Sequence, residues 1–188
     1  MSRVPDLQLE ELTPEQKRIY DEIAGRRHGV VRGPFPIWLR IPLVADRANQ
    51  LGNALRVHSK LDRRLFELMV LVVARHYSAQ YEWFVHEKSA FKEGLSPEVV
   101  EAIRSRLQPE FVREDERLVY ETVTELLETR TLSQPSYDRA LAALGLELLI
   151  ELISAAGFYT MVAMMLNAFD APVPDGTQPL SEKEVGRS

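Results

Sequence analysis

Apolar positions recur every three or four residues along most of the chain, and no segment alternates with a period of two. The pattern predicts an all-α protein. Residues 1–12 read as an irregular arm. Thr13-Pro14-Glu15-Gln16 then opens a helix: Thr13 suits the N-cap, Pro14 the first helical position, and Gln16 closes a capping box. Gly25 ends it. Residues 25–36 carry Gly25, Gly29, Gly33, Pro34 and Pro36 and predict a loop, followed by an apolar cluster of Phe35, Ile37, Trp38 and Leu39 that Pro42 closes. Two readings of Trp38 stand side by side. It anchors the loop on the core, or it lines a pocket or a subunit contact.

Over residues 43–59 the spacing of Leu43, Ala48, Leu51, Leu55 and His58 is helical. Asp62 suits the N-cap of the next helix, over residues 65–78. Positions 68–74 of that helix are all apolar, which predicts burial on every side. Another helix begins at Ala79 or Gln80 and ends at Gly94, and Ser96-Pro97-Glu98-Val99 starts one reaching about Arg106. Residues 114–130 form an amphipathic helix, residues 136–144 a short one ending at Gly145, and residues 146–169 a second strongly buried one. From Asp170 the chain is Pro-rich and polar, which predicts a loose tail. The organisation is thus an arm, helix and loop (1–33), a helical domain (34–172) and a tail (173–188).

Charge and composition narrow the function. The net charge of −5 argues against a general nucleic-acid binder, which would need a basic face. The absence of cysteine removes disulfides, thiolate ligands and thiol chemistry, and fits a cytoplasmic location. No metal-spaced His pair, glycine-rich phosphate loop or nucleophile elbow occurs. Glu147, Glu151, Ser154 and Gly157 interrupt the C-terminal apolar stretch, which reads as a buried helix and not a membrane span.

The chemistry concentrates in residues 67–94. On a helix, Ala79, Glu82, Trp83, His86 and Ala90 form one stripe, with Glu82 and His86 one turn apart. A carboxylate favours the imidazolium and burial opposes it, which is how a histidine is poised for proton transfer. Glu67, at the edge of the apolar run, is the third member, to be brought in by helix packing. The structural alternative is a buried polar cluster, with Glu67 paired to Arg63 or Arg75 and Glu82 to His86. His28, His58 and His76 are weaker candidates.

These residues carry a resemblance. The run over 67–94, with GPFPIWLRIP before it and LISAAGFYTMVAMMLNAF after it, resembles the carboxymuconolactone decarboxylase family, which includes the alkylhydroperoxidase (AhpD-like) proteins. The likeness spans about residues 34–172 and is sharpest in YEWxxH and the AxxxGL of residues 90–95. In the family's redox-active members a glutamate, a CxxC pair and a histidine form a proton relay. Glu67 and His86 match the glutamate and histidine, while the cysteine positions fall on Ala79 and Glu82. The resemblance implies an AhpD-like helical bundle, assembled as a homo-oligomer with sites near subunit interfaces. It implies a cofactor-independent lyase, with neither metal nor organic cofactor, acting on a small carboxylated lactone or related substrate. His86 would be the acid/base, Glu67 its orienting partner and Glu82 a tuning group or second acid/base, with Tyr81, Trp83 and Trp38 shaping the pocket. The alternatives are a ligand-binding relative that lost its thiols and, last, a peroxidase relative that borrows a partner's thiol.

Overall fold

A computed structural model describes residues 2–5, 7–26 and 29–180. Among them there is no strand. Eight helices follow a 3-10 turn at Leu9–Glu11: α1 (Pro14–Gly25), α2 (Phe35–Trp38), α3 (Pro42–Val57), α4 (Arg63–His76), α5 (Gln80–Lys92), α6 (Pro97–Arg104), α7 (Glu114–Thr129) and α8 (Gln134–Ala168). The helix starts follow the local chemistry. Thr13 and Gln16 form the reciprocal capping box, and the Asp62 and Ser96 side chains accept from the first backbone N–H groups of α4 and α6.

Helix α4 is the axis of the fold. Every residue from Arg64 to Arg75 is buried, because α5, α6, α7 and α8 all pack against it. Even its charged ends are used. Arg64 donates to Glu116 and, at 2.7 Å, to Asp115, which ties α4 to α7. Arg75 donates to the Arg104 carbonyl at 2.7 Å and the Ser78 hydroxyl at 3.1 Å, and so is not the partner of Glu67.

Four expectations need correction. Phe35 and Pro36, expected at the end of the loop, instead open a short helix with Ile37 and Trp38, since Pro36 sits in a first turn where its missing N–H costs nothing. On α3 the buried face is Ala45, Ala48, Asn49 and Leu55, while Leu43, Leu51 and His58 are exposed. The last long helix begins at Gln134, capped by Ser133, and does break at Gly145, whose φ of 74° glycine alone adopts cheaply. Beyond that break only one face is buried; Leu146, Ile150, Ile153, Met161 and Met164 lie exposed on the other. By length and composition alone α8 could cross a membrane, although its other face packs on α4 and α7.

The fourth correction concerns the tail, which is docked at least as far as residue 180. Leu180 is buried. The Gln80 side chain holds its backbone at two points, donating to the carbonyl and accepting from the N–H, both at 2.9 Å. Arg104 donates to the Pro179 carbonyl at 2.8 Å. Residues 181–188 of the expected tail, and His28, lie outside the described residues.

Candidate active site

Packing of α4 against α5 brings Glu67 to His86. The Glu67 Oε2 to His86 Nδ1 distance is 2.6 Å, with Glu67 fully buried and His86 6% exposed. Glu67 Oε1 faces two guanidinium groups: Arg63 Nη2, one turn earlier on α4, at 3.1 Å, and Arg56 Nη2, from the end of α3, at 3.9 Å. Burial alone would raise the Glu67 pKa. The hydrogen bond to His86 and the charges of His86, Arg56 and Arg63 outweigh it and hold this carboxyl below its ordinary value. An ionised carboxylate only accepts, so Nδ1 carries the proton and Nε2, across the ring, is the nitrogen not engaged by Glu67. Among the described residues nothing hydrogen-bonds to Nε2.

Glu82 shares the His86 face of α5, as the spacing predicts, but the two do not bond. Sharing a helix face brings side chains alongside without making them converge, and His86 is turned to α4. Glu82 is 2% exposed, and neither of its oxygens has a hydrogen-bond partner among the described residues. Burial pushes its pKa well above the ordinary value, so it is held as the neutral acid.

Tyr159, on α8, completes the cluster and was not singled out from the sequence. Its ring stands edge-on to His86, with centroids 5.1 Å apart, and edge-on to Phe66 and Phe158. Its phenol pKa is raised by burial first, and its electrostatic neighbours are Arg56, Glu67, Glu82 and Arg63. The sequence signal was slight: one tyrosine in the apolar run of α8, with nothing to show which way it faces.

The remaining expected residues sit around this cluster. Trp38 is buried edge-on to Phe35 at 5.3 Å and reaches the site only through Phe158, at 6.4 Å, which favours its anchoring role. Trp83 lies beneath the Arg104 guanidinium, 5.3 Å from its centroid. Tyr81 packs against Gly33, where a Cβ would lie 3.4 Å from the ring. His58 and His76 are exposed. Two surface hollows, of about 390 and 300 Å³, lie away from the pair, beside Arg40 and beside Phe111. Among the described residues no cluster of three or more His, Asp or Glu has the arrangement of a metal site.

An all-α bundle whose central helices bury a Glu–His pair defines the class, and comparison with solved structures identifies the fold as that of the AhpD core. An uncharacterised peroxidase-related AhpD-core protein from Ralstonia eutropha JMP134 superposes with a TM-score of 0.75 at 16% identity, covering 93% of each chain. The debrominase Bmp8, in complex with 2,3,4-tribromopyrrole, gives 0.73 at 15% identity over 94% of this chain and 92% of its own. A peroxidase-related protein from Silicibacter sp. TM1040 gives 0.70 at 17% identity over 89% of each. No family profile and no curated protein sequence matches the chain.

Proposed function

We propose that this protein is a cofactor-independent acid–base enzyme, a lyase of the carboxymuconolactone decarboxylase type, acting on a small carboxylated lactone or related unsaturated ring. The buried 2.6 Å bond between Glu67 and His86 carries the reading. It fixes the imidazole's tautomer and aims one nitrogen away from the pair, which is what a proton-transfer group requires. The brominated pyrrole in the debrominase complex is also a small unsaturated ring and supports a ligand of that size. Thiol chemistry is closed to this chain on its own, since it has no cysteine to form a mixed disulfide.

In the proposed reaction the bond from ring carbon to carboxylate breaks and CO₂ leaves. The electron pair passes into the conjugated carbonyl, and His86 delivers to carbon a proton that it takes up from solvent at Nε2. Glu67 holds the ring and stabilises the imidazolium. A screen of unsaturated lactone carboxylates against wild type and His86→Ala tests this. Turnover should fall about 10²–10⁴-fold in the variant while the melting temperature shows it folded. Glu67→Gln should lower turnover through His86 and destabilise the fold by about 1–3 kcal/mol. If every lactone fails while such ligands still bind, the protein is the ligand-binding relative instead.

A further inference from the structure

Two buried polar groups beside His86 have no evident use in holding the fold. Glu82 and Tyr159 come from different helices, α5 and α8. Each is nearly inaccessible, at 2% and 6% exposure, and neither side chain hydrogen-bonds to any described residue. Both Glu82 oxygens are buried and unpaired, which is costly, so this carboxyl calls for a partner; the Tyr159 hydroxyl is left free to meet one. From the geometry we propose that Tyr159 and Glu82 form a two-donor oxyanion hole that binds the enolate oxygen of a small ketone or lactone. This rests on the acid–base reading of His86 given above.

Burial keeps both groups protonated, Glu82 as a carboxylic acid and Tyr159 as a phenol, so each has an O–H to donate. A neutral carboxylic acid beside a tyrosine, facing a general base, is a known way to hold an enolate. The charges around Tyr159 suit an anion. Arg56 on α3 and Arg63 on α4 are positive, Glu67 on α4 is the one ionised acid, and Glu82 on α5 is neutral. Two guanidinium groups meeting one carboxylate leave a positive charge to spare.

The hole serves either of two balanced steps. His86 Nε2 takes a proton from the carbon next to the carbonyl, or the carbon–carboxylate bond releases CO₂. In both, the bonding pair moves into the carbonyl, and its oxygen, now negative, accepts from Tyr159 and Glu82. In the first step the imidazolium so formed returns its proton to carbon; in the second His86 delivers to carbon a proton taken up from solvent at Nε2; in neither does an oxidant or reductant enter. The site would therefore accept ketones and lactones with an acidic C–H as well as carboxylated ones.

Binding of 4-nitrophenol tests the hole without any turnover, since its phenolate mimics an enolate and absorbs visible light. The intact protein should bind the phenolate form. Tyr159→Phe, which keeps the ring packed, and Glu82→Leu should each weaken it about tenfold to hundredfold, the range for a hydrogen bond to a charged group. Glu82→Gln retains an N–H donor and should bind close to wild type. Absence of phenolate binding in wild type, or affinity unchanged in both Tyr159→Phe and Glu82→Leu, overturns the proposal. So does tighter binding by Glu82→Gln, which would mean Glu82 is ionised. Thermal melts identify any variant that fails to fold; if Glu82→Leu does, Tyr159→Phe decides. Because the assay needs no reaction, the hole can fail while the His86 chemistry stands, and the reverse.

Discussion

A carboxyl group as buried as Glu82, with no hydrogen-bond partner, sets a penalty that depends on pH. In the unfolded chain it ionises near its ordinary value of 4.5; folded, burial holds the proton on to a higher pH. Above about pH 4.5 the folded state therefore binds more protons than the unfolded one, and this group lowers stability as pH rises. Glu67 has the opposite sign. Its depressed folded value adds stability above the unfolded pKa, and that stability is lost as pH falls through the folded one. Glu82→Gln should thus melt higher than wild type at pH 8, with the gap closing toward pH 4, whereas Glu67→Gln should melt lower at pH 8 and approach wild type in acid. Parallel melting-temperature profiles for wild type and Glu82→Gln over that range would show that Glu82 is not held neutral.

At the level of elements, the site depends on how closely α3 approaches α8. Gly52 makes the approach possible, since a Cβ there would lie 2.9 Å from Phe158 Cζ, too close for the ring to stay in place. Phe158 is wedged between Trp38 and Tyr159, so a displaced ring presses on the phenol beside His86. Gly52→Ala should destabilise the protein by about 1–3 kcal/mol, as overpacking does, and should also weaken nitrophenolate binding. A melt and an affinity both unchanged would mean that α3 simply shifts outward. None of this coupling was legible in the sequence, although the helices themselves were. Thr13, Asp62 and Ser96 mark starts because capping is local, and residues 68–74 announce a buried helix because every position is apolar. The placement of Glu82 and His86 on one face followed from helical periodicity, and the Glu67–His86 contact from the family pattern. Convergence is decided by packing between helices, which periodicity does not encode. Hence Glu82 is unbonded, Tyr159 has little signal in the sequence, and the tail, which Gln80 and Arg104 anchor across 100 and 75 residues respectively, reads as loose.

On the scale of the whole molecule, α8 carries an apolar face that nothing among the described residues of the single chain covers. Leu146, Ile150, Ile153, Met161 and Met164 recur every three, four or eight residues, and Gly157 falls between the last two pairs, forming one continuous apolar stripe. Such a stripe is the signature of a helix face that packs on another helix. We propose that a second copy of the chain covers it, with α8 meeting α8 about a two-fold axis. A stripe with a small residue near its middle is suited to meeting its own copy, because Gly157 has nothing within 4 Å of where a Cβ would stand and lets the two backbones approach. Lys60, paired with Glu147 at 3.2 Å, and Ser59, bonded to Glu151 at 2.6 Å, border the stripe and give it a polar rim. The same α3–α4 connection leads to Arg56 and Arg63, so the interface would run beside the two guanidinium groups that face Glu67. Sedimentation at micromolar concentration should give a particle larger than the single 21.5 kDa chain, and Ile150→Glu with Met161→Glu should reduce it to the monomer with helicity intact. Flotation with liposomes separates the remaining possibility. Wild type that remains monomeric, or that floats with lipid and loses this in the double variant, would mean that the stripe does not meet a second copy.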